Sequence, residues 1–304
     1  MEYAIYKFDF QTGVHFGTGM LNESTDTFLA DQLFSALYIE AVKMKKESVF
    51  LQLVKKGQLC FSDAFPYIEK EYLLPKPMLY IETAERGKSE QKKAYKKLKY
   101  VPVDRFDEFI NGTMDIQQID MDVYKYGTYR QQTMAEVRIT DETQPYRVGT
   151  FYFSEGCGLY IIAAYENEEG KAYFEELLES LSYTGIGGKK YSGLGKFMLR
   201  SAKMPELLNM YLKKDSSRKM LLSVALPKDD EMEWALEGAS YQLSKRSGFI
   251  ASAEYADEWR KKKDLYVLCA GSCFKNCFEG DIYDVSQGGS HPVFRYAKPL
   301  FMGV

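Results

Sequence analysis

Residues 183–197 read YTGIGGKKYSGLGKF, with five glycines (Gly185, Gly187, Gly188, Gly193 and Gly195), three lysines (Lys189, Lys190 and Lys196) and no acid. Glycine lets the backbone reach positive φ and approach a ligand closely. Successive amide N–H groups can then converge on an anion, and lysines add charge. A phosphate cradle is one reading; a glycine-rich surface turn without a ligand is the other. The flanks decide the fold. Before the stretch, Phe174, Leu177, Leu178 and Leu181 recur at helical spacing, with Glu175, Glu176 and Glu179 between them. After it, Lys196 to Arg200 reads as a strand. Helix, loop, strand is the reverse of the strand, loop, helix order that nucleotide-binding glycine loops need. The spacing fails as well. Gly188 to Gly193 has P-loop spacing, but Leu194 stands in the lysine position. Counted from Gly185 or from Gly193, a GxGxxG pattern meets Lys190 or Met198 where its third glycine belongs. Both grounds point away from a mononucleotide fold.

Working outward, Tyr3 to Phe10 alternates as a strand with Ala4, Tyr6, Phe8 and Phe10 on one face. Leu33, Phe34, Leu37, Tyr38 and Ala41 mark an amphipathic helix, with Asp26 or Thr27 as N-cap. Leu59 to Ser62 and Gly158 to Tyr165 read as strands, followed by a helix over 171–182 and a strand over 196–201. The order is β-α-β, a long interruption, then β-α-β, which is the ferredoxin-like order. The expected fold class is therefore α+β with two ferredoxin-like domains. Residues 1–203 form the first, carrying an insertion at about 64–150 and the glycine loop at 183–197. The insertion holds prolines at 66, 75, 77, 102 and 145 and the run RGKSEQKKAYKKLK at 86–99, and reads as lacking a core of its own. After Pro205 the pattern restarts with Lys219 to Leu226, Tyr241 to Ile250 and Leu265 to Ala270, a second and degenerate domain over 204–304.

The 304 residues are 45% hydrophobic, an ordinary globular content. No apolar run approaches the roughly 20 residues of a membrane span, and MEYAIYKFDF at the start lacks the basic-then-apolar order of a signal peptide. Five cysteines with no dense framework point to a reducing, cytoplasmic setting. Net charge is only −3, whereas a duplex-DNA binder is usually basic overall. The charge is uneven: residues 86–99 carry seven basic side chains and one acid, and 184–200 carry four and none. Either zone is solvated surface or a face for nucleic acid. Among 24 Tyr and 19 Phe, those exposed beside lysines are candidates for stacking on unpaired bases.

Catalytic signals are sparse. His15 in VHFGTG and His291 in SHPVFRY are the two histidines, and neither has a visible acid–base partner. A hydrogen-bonding or RNA-contacting role suits them better. Cys269, Cys273 and Cys277 recur every four residues, which is not the CxxC spacing of a zinc site. Neither HExxH nor GxSxG occurs. No metal or other cofactor is expected.

A ferredoxin-like order with a lysine-bearing glycine loop before its last strand resembles the RAMP superfamily of CRISPR RNA-binding proteins. Further blocks narrow this: VHFGTG at 14–19, DQLFSALYIEA at 31–41, FSDAFPY at 61–67, LLPKP at 73–77, RSGF at 246–249 and HPVFRYAKPLFMGV at 291–304. Together they resemble the family of fourth Csm subunits of type III-A CRISPR effectors, over nearly the full chain. The resemblance implies a non-catalytic subunit that caps the 5′ repeat-derived tag of the guide RNA. It also implies that the subunit joins the large polymerase/cyclase-like subunit to the backbone subunits, with target RNA nearby and a thumb-like hairpin inside 64–150. On that reading the glycines of the loop approach phosphates, Lys189 and Lys190 neutralise them, and Tyr191, beside Ser192, stacks on a base or anchors the loop. Arg246 with Ser247 and Phe249, His291 with Arg295, His15, and Arg130, Thr133 and Arg138 of the insertion are further candidates. Two rivals stay open: a metal-independent endoribonuclease using His15, and a pure protein scaffold.

Overall fold

The computed structural model describes residues 1–81, 89–115, 126–136, 143–252 and 254–304. Its central sheet is antiparallel. Strand β1 (Glu2–Phe10) lies between β8 (Cys157–Tyr165) and β9 (Phe197–Ala202), with Ile5 opposite both Ile162 and Ala202. The far side of β8 carries β2 (Leu59–Phe61) at one end and β3 (Phe65–Ile68) at the other. Strands β4 (Glu71–Pro75) and β5 (Tyr100–Pro102) continue the sheet from β3.

Helices α1 (Ala30–Lys43), α2 (Glu47–Lys55) and α5 (Glu168–Thr184) share one core with one face of the sheet. The alternation read along β1 is what builds it. Tyr6 and Phe8 are buried there with Leu159, Ile161 and Ala163 of β8, under Phe34, Leu37, Phe174 and Leu178, and Ala4 and Phe10 pack against its edge. Each such side chain contributes about 1.5–3 kcal/mol when fully buried. The start of α1 differs from expectation. It is not capped by Asp26 or Thr27 but by groups from elsewhere: Ala30 N–H donates to Asp63 Oδ1 (2.7 Å) and Leu29 N–H to Gln32 Oε1 (2.9 Å). Asn167 caps α5, accepting from Gly170 N–H at 2.9 Å, so that helix begins three residues before the expected 171.

The other face of the sheet is apolar too. Ile5, Tyr160, Ile162 and Ala164 lie under α4 (Phe106–Ile110), α6 (Glu206–Lys213) and β10 (Lys219–Leu221), through Phe106, Leu208, Tyr211 and Met220. Among its described residues, the 64–150 segment adds β3, β4 and β5 to the main sheet and Val101, Phe106 and Phe109 to this core. It also carries α3 (Ser89–Lys97) and a long hairpin, β6 (Gly127–Glu136) with β7 (Gln144–Phe153), registered over ten residue pairs.

Beyond residue 213 come short antiparallel pieces and one short helix, α7 (Met232–Leu236). Strand β10 pairs with β13 (Cys273–Phe274) and β16 (Phe301–Gly303), β11 (Leu243–Arg246) with β12 (Leu265–Leu268), and β14 (Asp281–Asp284) with β15 (Phe294–Ala297). These pieces share both main cores: Tyr296 stacks on Phe61 at 4.6 Å and donates to its carbonyl, while Met220, Leu222 and Met302 sit in the cluster of Ile5.

Candidate nucleic-acid interface

Helix α5 runs out at Thr184, and Gly185 N–H donates back to Leu181 O at 2.7 Å. The chain then folds onto the segment after β1. Ile186 N–H donates to Gly195 O (3.0 Å), Gly195 N–H to Gly13 O (2.9 Å) and Gly188 N–H to His15 O (2.8 Å). These amides are spent inside the protein, which corrects the picture of a cradle whose successive N–H groups all face a ligand. Among the described residues, the amides of Gly187 and of the consecutive Lys189, Lys190 and Tyr191 are left without a partner. At Gly185, Gly187, Gly188 and Gly195 the absence of a side chain allows close approach to protein, whereas nothing lies within 4 Å at Gly193. Gly188 does not take positive φ; a Cβ there would stand 2.6 Å from His15 Cδ2.

Lys189 and Lys190 are half-buried, and Lys196 is exposed. Lys189 occupies the left-handed region at φ 58°, which costs a non-glycine residue about 1–2 kcal/mol. Its ammonium lies 3.2 Å from Tyr146 Oη and 4.4 Å from the centre of that ring. Burial, and next the positive charge of Lys43, push the Lys190 ammonium below its ordinary range, with Glu40 partly offsetting them. An anion bound beside Lys190 would relieve that cost. The helical turn Lys190–Ser192 presents Tyr191 fully to solvent, so it stacks on nothing in the protein; Ser192 is exposed beside it, and Gly193 follows at φ 86°.

His15 ties the loop to the hairpin. It is buried, and its Nδ1–H donates to Gly149 O at 2.7 Å, while its Nε2 edge lies against Gly17 and Gly188. Val14 and Phe151 exchange both backbone hydrogen bonds beside it, at 2.8 and 2.9 Å. The hairpin is thereby fixed with one face toward the glycine loop. On that face the Arg130 guanidinium sits 4.8 Å from the centre of the Tyr152 ring, Gln132 Nε2 donates to Tyr152 Oη, and Tyr146 meets Lys189. Arg130, Gln132, Tyr152, Tyr146 and Lys189 form a strip of cations and aromatic rings. Side chains alternate across a strand, so Thr133, opposite Arg147, faces the other way. Arg138 lies outside the described residues. Sequence reading missed Gln132, Tyr146 and Tyr152. The signal was present as period-two alternation in YRVGTFYF (146–153) facing TYRQQTM (128–134).

The remaining candidates lie elsewhere. Arg246 binds Asp31 through two hydrogen bonds of 2.9 Å, and Arg295 Nη1 reaches the same carboxylate at 2.6 Å. Asp31 and Arg295 are buried. The two arginines clamp β11 and β15 to the first turn of α1, and Arg295 also donates to Ser247 O at 3.3 Å. His291 is exposed, with its ring nitrogens 2.9 Å from Pro292 O and Ser252 Oγ, and Phe249 is half-exposed. Among the described residues no group of three His, Cys, Asp or Glu is placed to hold a metal ion, and no helix is long and apolar enough to cross a membrane.

The family described as CRISPR Csm4 C-terminal domain matches residues 214–304. A Csm4 protein of Mycobacterium tuberculosis is 38% identical over 305 residues, covering 100% of this chain and 98% of its own. A Csm3–Csm4 subcomplex of the type III-A interference complex contains a chain that superposes with a TM-score of 0.67 at 20% identity, covering 100% of this chain and 99% of that one. A Csm1–Csm4 cassette bound to AMPPNP contains another, with a TM-score of 0.60 at 18% identity, covering 100% and 98%. The chain belongs to the Csm4 family of CRISPR proteins.

Proposed function

We propose that this chain is a non-catalytic RNA-binding subunit of a type III-A Csm complex, capping the 5′ repeat-derived tag of the guide RNA. The observation that carries the proposal is the strip of Lys189, Tyr146, Tyr152 and Arg130 beside exposed Tyr191, cations interleaved with rings on one face. Single-stranded RNA is held by such sets: phosphates on cations, splayed bases on aromatic faces. Relatives crystallised with Csm3 and with Csm1 support a junction between the backbone and the large subunit. The neighbour order β9-β1-β8-β2, with α1 and α5 on one face, supports the ferredoxin-like reading of the N-terminal part. The endoribonuclease reading needs His15 at a 2′-OH, but that ring is buried, with Nδ1 committed to Gly149 O.

Filter binding tests the proposal, using RNA with and without the repeat-derived tag and a metal-free incubation alongside. Tighter binding of the tagged RNA, with both RNAs intact, is the expected result. Equal affinity favours the scaffold reading. Cleavage lost in His15→Ala favours the enzyme.

A further inference from the structure

A second set of rings and cations stands far from the glycine loop in sequence. Residues 248–250 and 260–262 form a short antiparallel ribbon: Ile250 N–H donates to Arg260 O and Lys262 N–H to Gly248 O, both at 2.9 Å. Between those bonds, Phe249 and Lys261 face each other as a non-hydrogen-bonded pair, the geometry that brings opposed side chains closest. The Lys261 ammonium lies 5.6 Å from the centre of the Phe249 ring. Trp259, two residues before Lys261 and so on the same face, meets Phe249 edge-on with ring centres 6.0 Å apart. The ribbon is backed by a small core of Ile250, Tyr255, Val285 and Val293. The rings are therefore carried on an ordered support, yet Trp259 is 83% exposed and Phe249 53%.

An indole left this open on a supported ribbon is a contact surface waiting for a partner. The stretch carries both signs: Glu254, Asp257, Glu258 and Asp264 are exposed in it, with Asp264 paired to Lys245, but Lys261 lies on the ring face itself, and Arg260, Lys261 and Lys263 are exposed and enter no ion pair among the described residues. Protein interface cores take up Trp but are depleted in Lys. Sites for single-stranded nucleic acid want both, since a base stacks on the ring and its phosphates lie on the cations.

We propose that Phe249 and Trp259, flanked by Lys261 and Lys263, are a stacking site for an unpaired base of single-stranded RNA. The proposal rests on the RNA-binding reading above and adds a second point of contact to it. The strand's source, guide or target, is decided by the probe that engages it.

The test uses the full-length protein in a Trp234→Phe background, which leaves Trp259 as the remaining one of the two tryptophans. Its fluorescence is followed against a tagged guide RNA, an untagged single strand of equal length, and a duplex of the latter. Quenching by single strands and not by duplex is expected. Quenching by the tagged RNA alone assigns the site to the guide, and quenching by both assigns it to strands of any sequence, the target included. Trp259→Ala lowers affinity by about 5- to 150-fold, the equivalent of one stacked base, and Trp259→Phe recovers most of it. With so exposed a side chain, the melting temperature stays unchanged. Unquenched fluorescence and full affinity in Trp259→Ala overturn the proposal; if Lys189→Ala/Lys190→Ala still weakens binding, the RNA reading itself survives, and if it does not, both fall. Intact RNA affinity with lost capture of Csm1 or Csm3 makes the pad a protein contact and also overturns the proposal.

Discussion

Gly188→Ala sets a methyl carbon 2.6 Å from His15 Cδ2 and 3.6 Å from His15 O. The ring cannot give way freely, because its Nδ1–H is bonded to Gly149 O at 2.7 Å and the residue is buried. Overpacking of this kind costs about 1–3 kcal/mol, and leaving a buried acceptor unpaired costs a further 1–3 or so. A total loss of about 2–6 kcal/mol is expected. Gly193→Ala is the contrast. Nothing lies within 4 Å of the new carbon, and only φ 86° opposes it, for about 1–2 kcal/mol. Urea unfolding of both variants gives the difference, and a cycle with His15→Ala identifies its cause. Once the ring is gone the Gly188 methyl has room, so the double variant is more stable than the sum of the single losses requires, by about 1 kcal/mol or more. Strict additivity would refute the claim that the His15 ring is what demands glycine at 188.

Lys189→Ala with Lys190→Ala lowers the slope of log RNA affinity against log salt by about 1.4, at roughly 0.7 per phosphate contact on single strands; a salt titration reads this, with an unchanged melting curve as control. Asp31→Asn leaves Arg246 and Arg295 facing an uncharged amide in a buried site, and urea unfolding should show a loss of about 3–5 kcal/mol. Burial raises the Asp63 carboxyl to about 7, outweighing the amides of Ala30 and Val224 that bind its charged form. The native state then holds a proton that the unfolded chain has released between about pH 4 and 7, so this group's contribution to stability falls as pH rises through that window. Wild type therefore loses stability relative to Asp63→Asn between pH 4 and pH 7, and a parallel pH dependence of the two would contradict the assignment.

The helix, loop and strand around 183–197 and four of the seven strands described for the central sheet were legible because their periodicity is local. What lay hidden depends on contacts between distant residues. Arg246 and Arg295 read as free cations, but their partner Asp31 lies 215 and 264 positions away. The cap of α1 is Asp63, 33 residues on, where a local Asp or Thr was expected. Five glycines suggested room for a phosphate, yet at 188 the space is taken by the His15 ring, and no local pattern reports that contact. Alternation in β1 identified the face under α1 and α5. The opposite face was missed because its cover, Phe106, Leu208 and Met220, comes from three separate segments. Lys189 and Lys190 were legible as a basic pair, whereas the place of Lys189 against Tyr146, on the hairpin face of Tyr152 and Arg130, required the hairpin to be placed.

Photocrosslinking of a guide RNA carrying 4-thiouridine in its 5′ tag, followed by peptide mapping, tests the tag-binding claim most directly. The account predicts crosslinks within residues 183–197 and 144–153, lost when the tag is removed. Crosslinks confined to other segments, with neither of these peptides labelled, would contradict it.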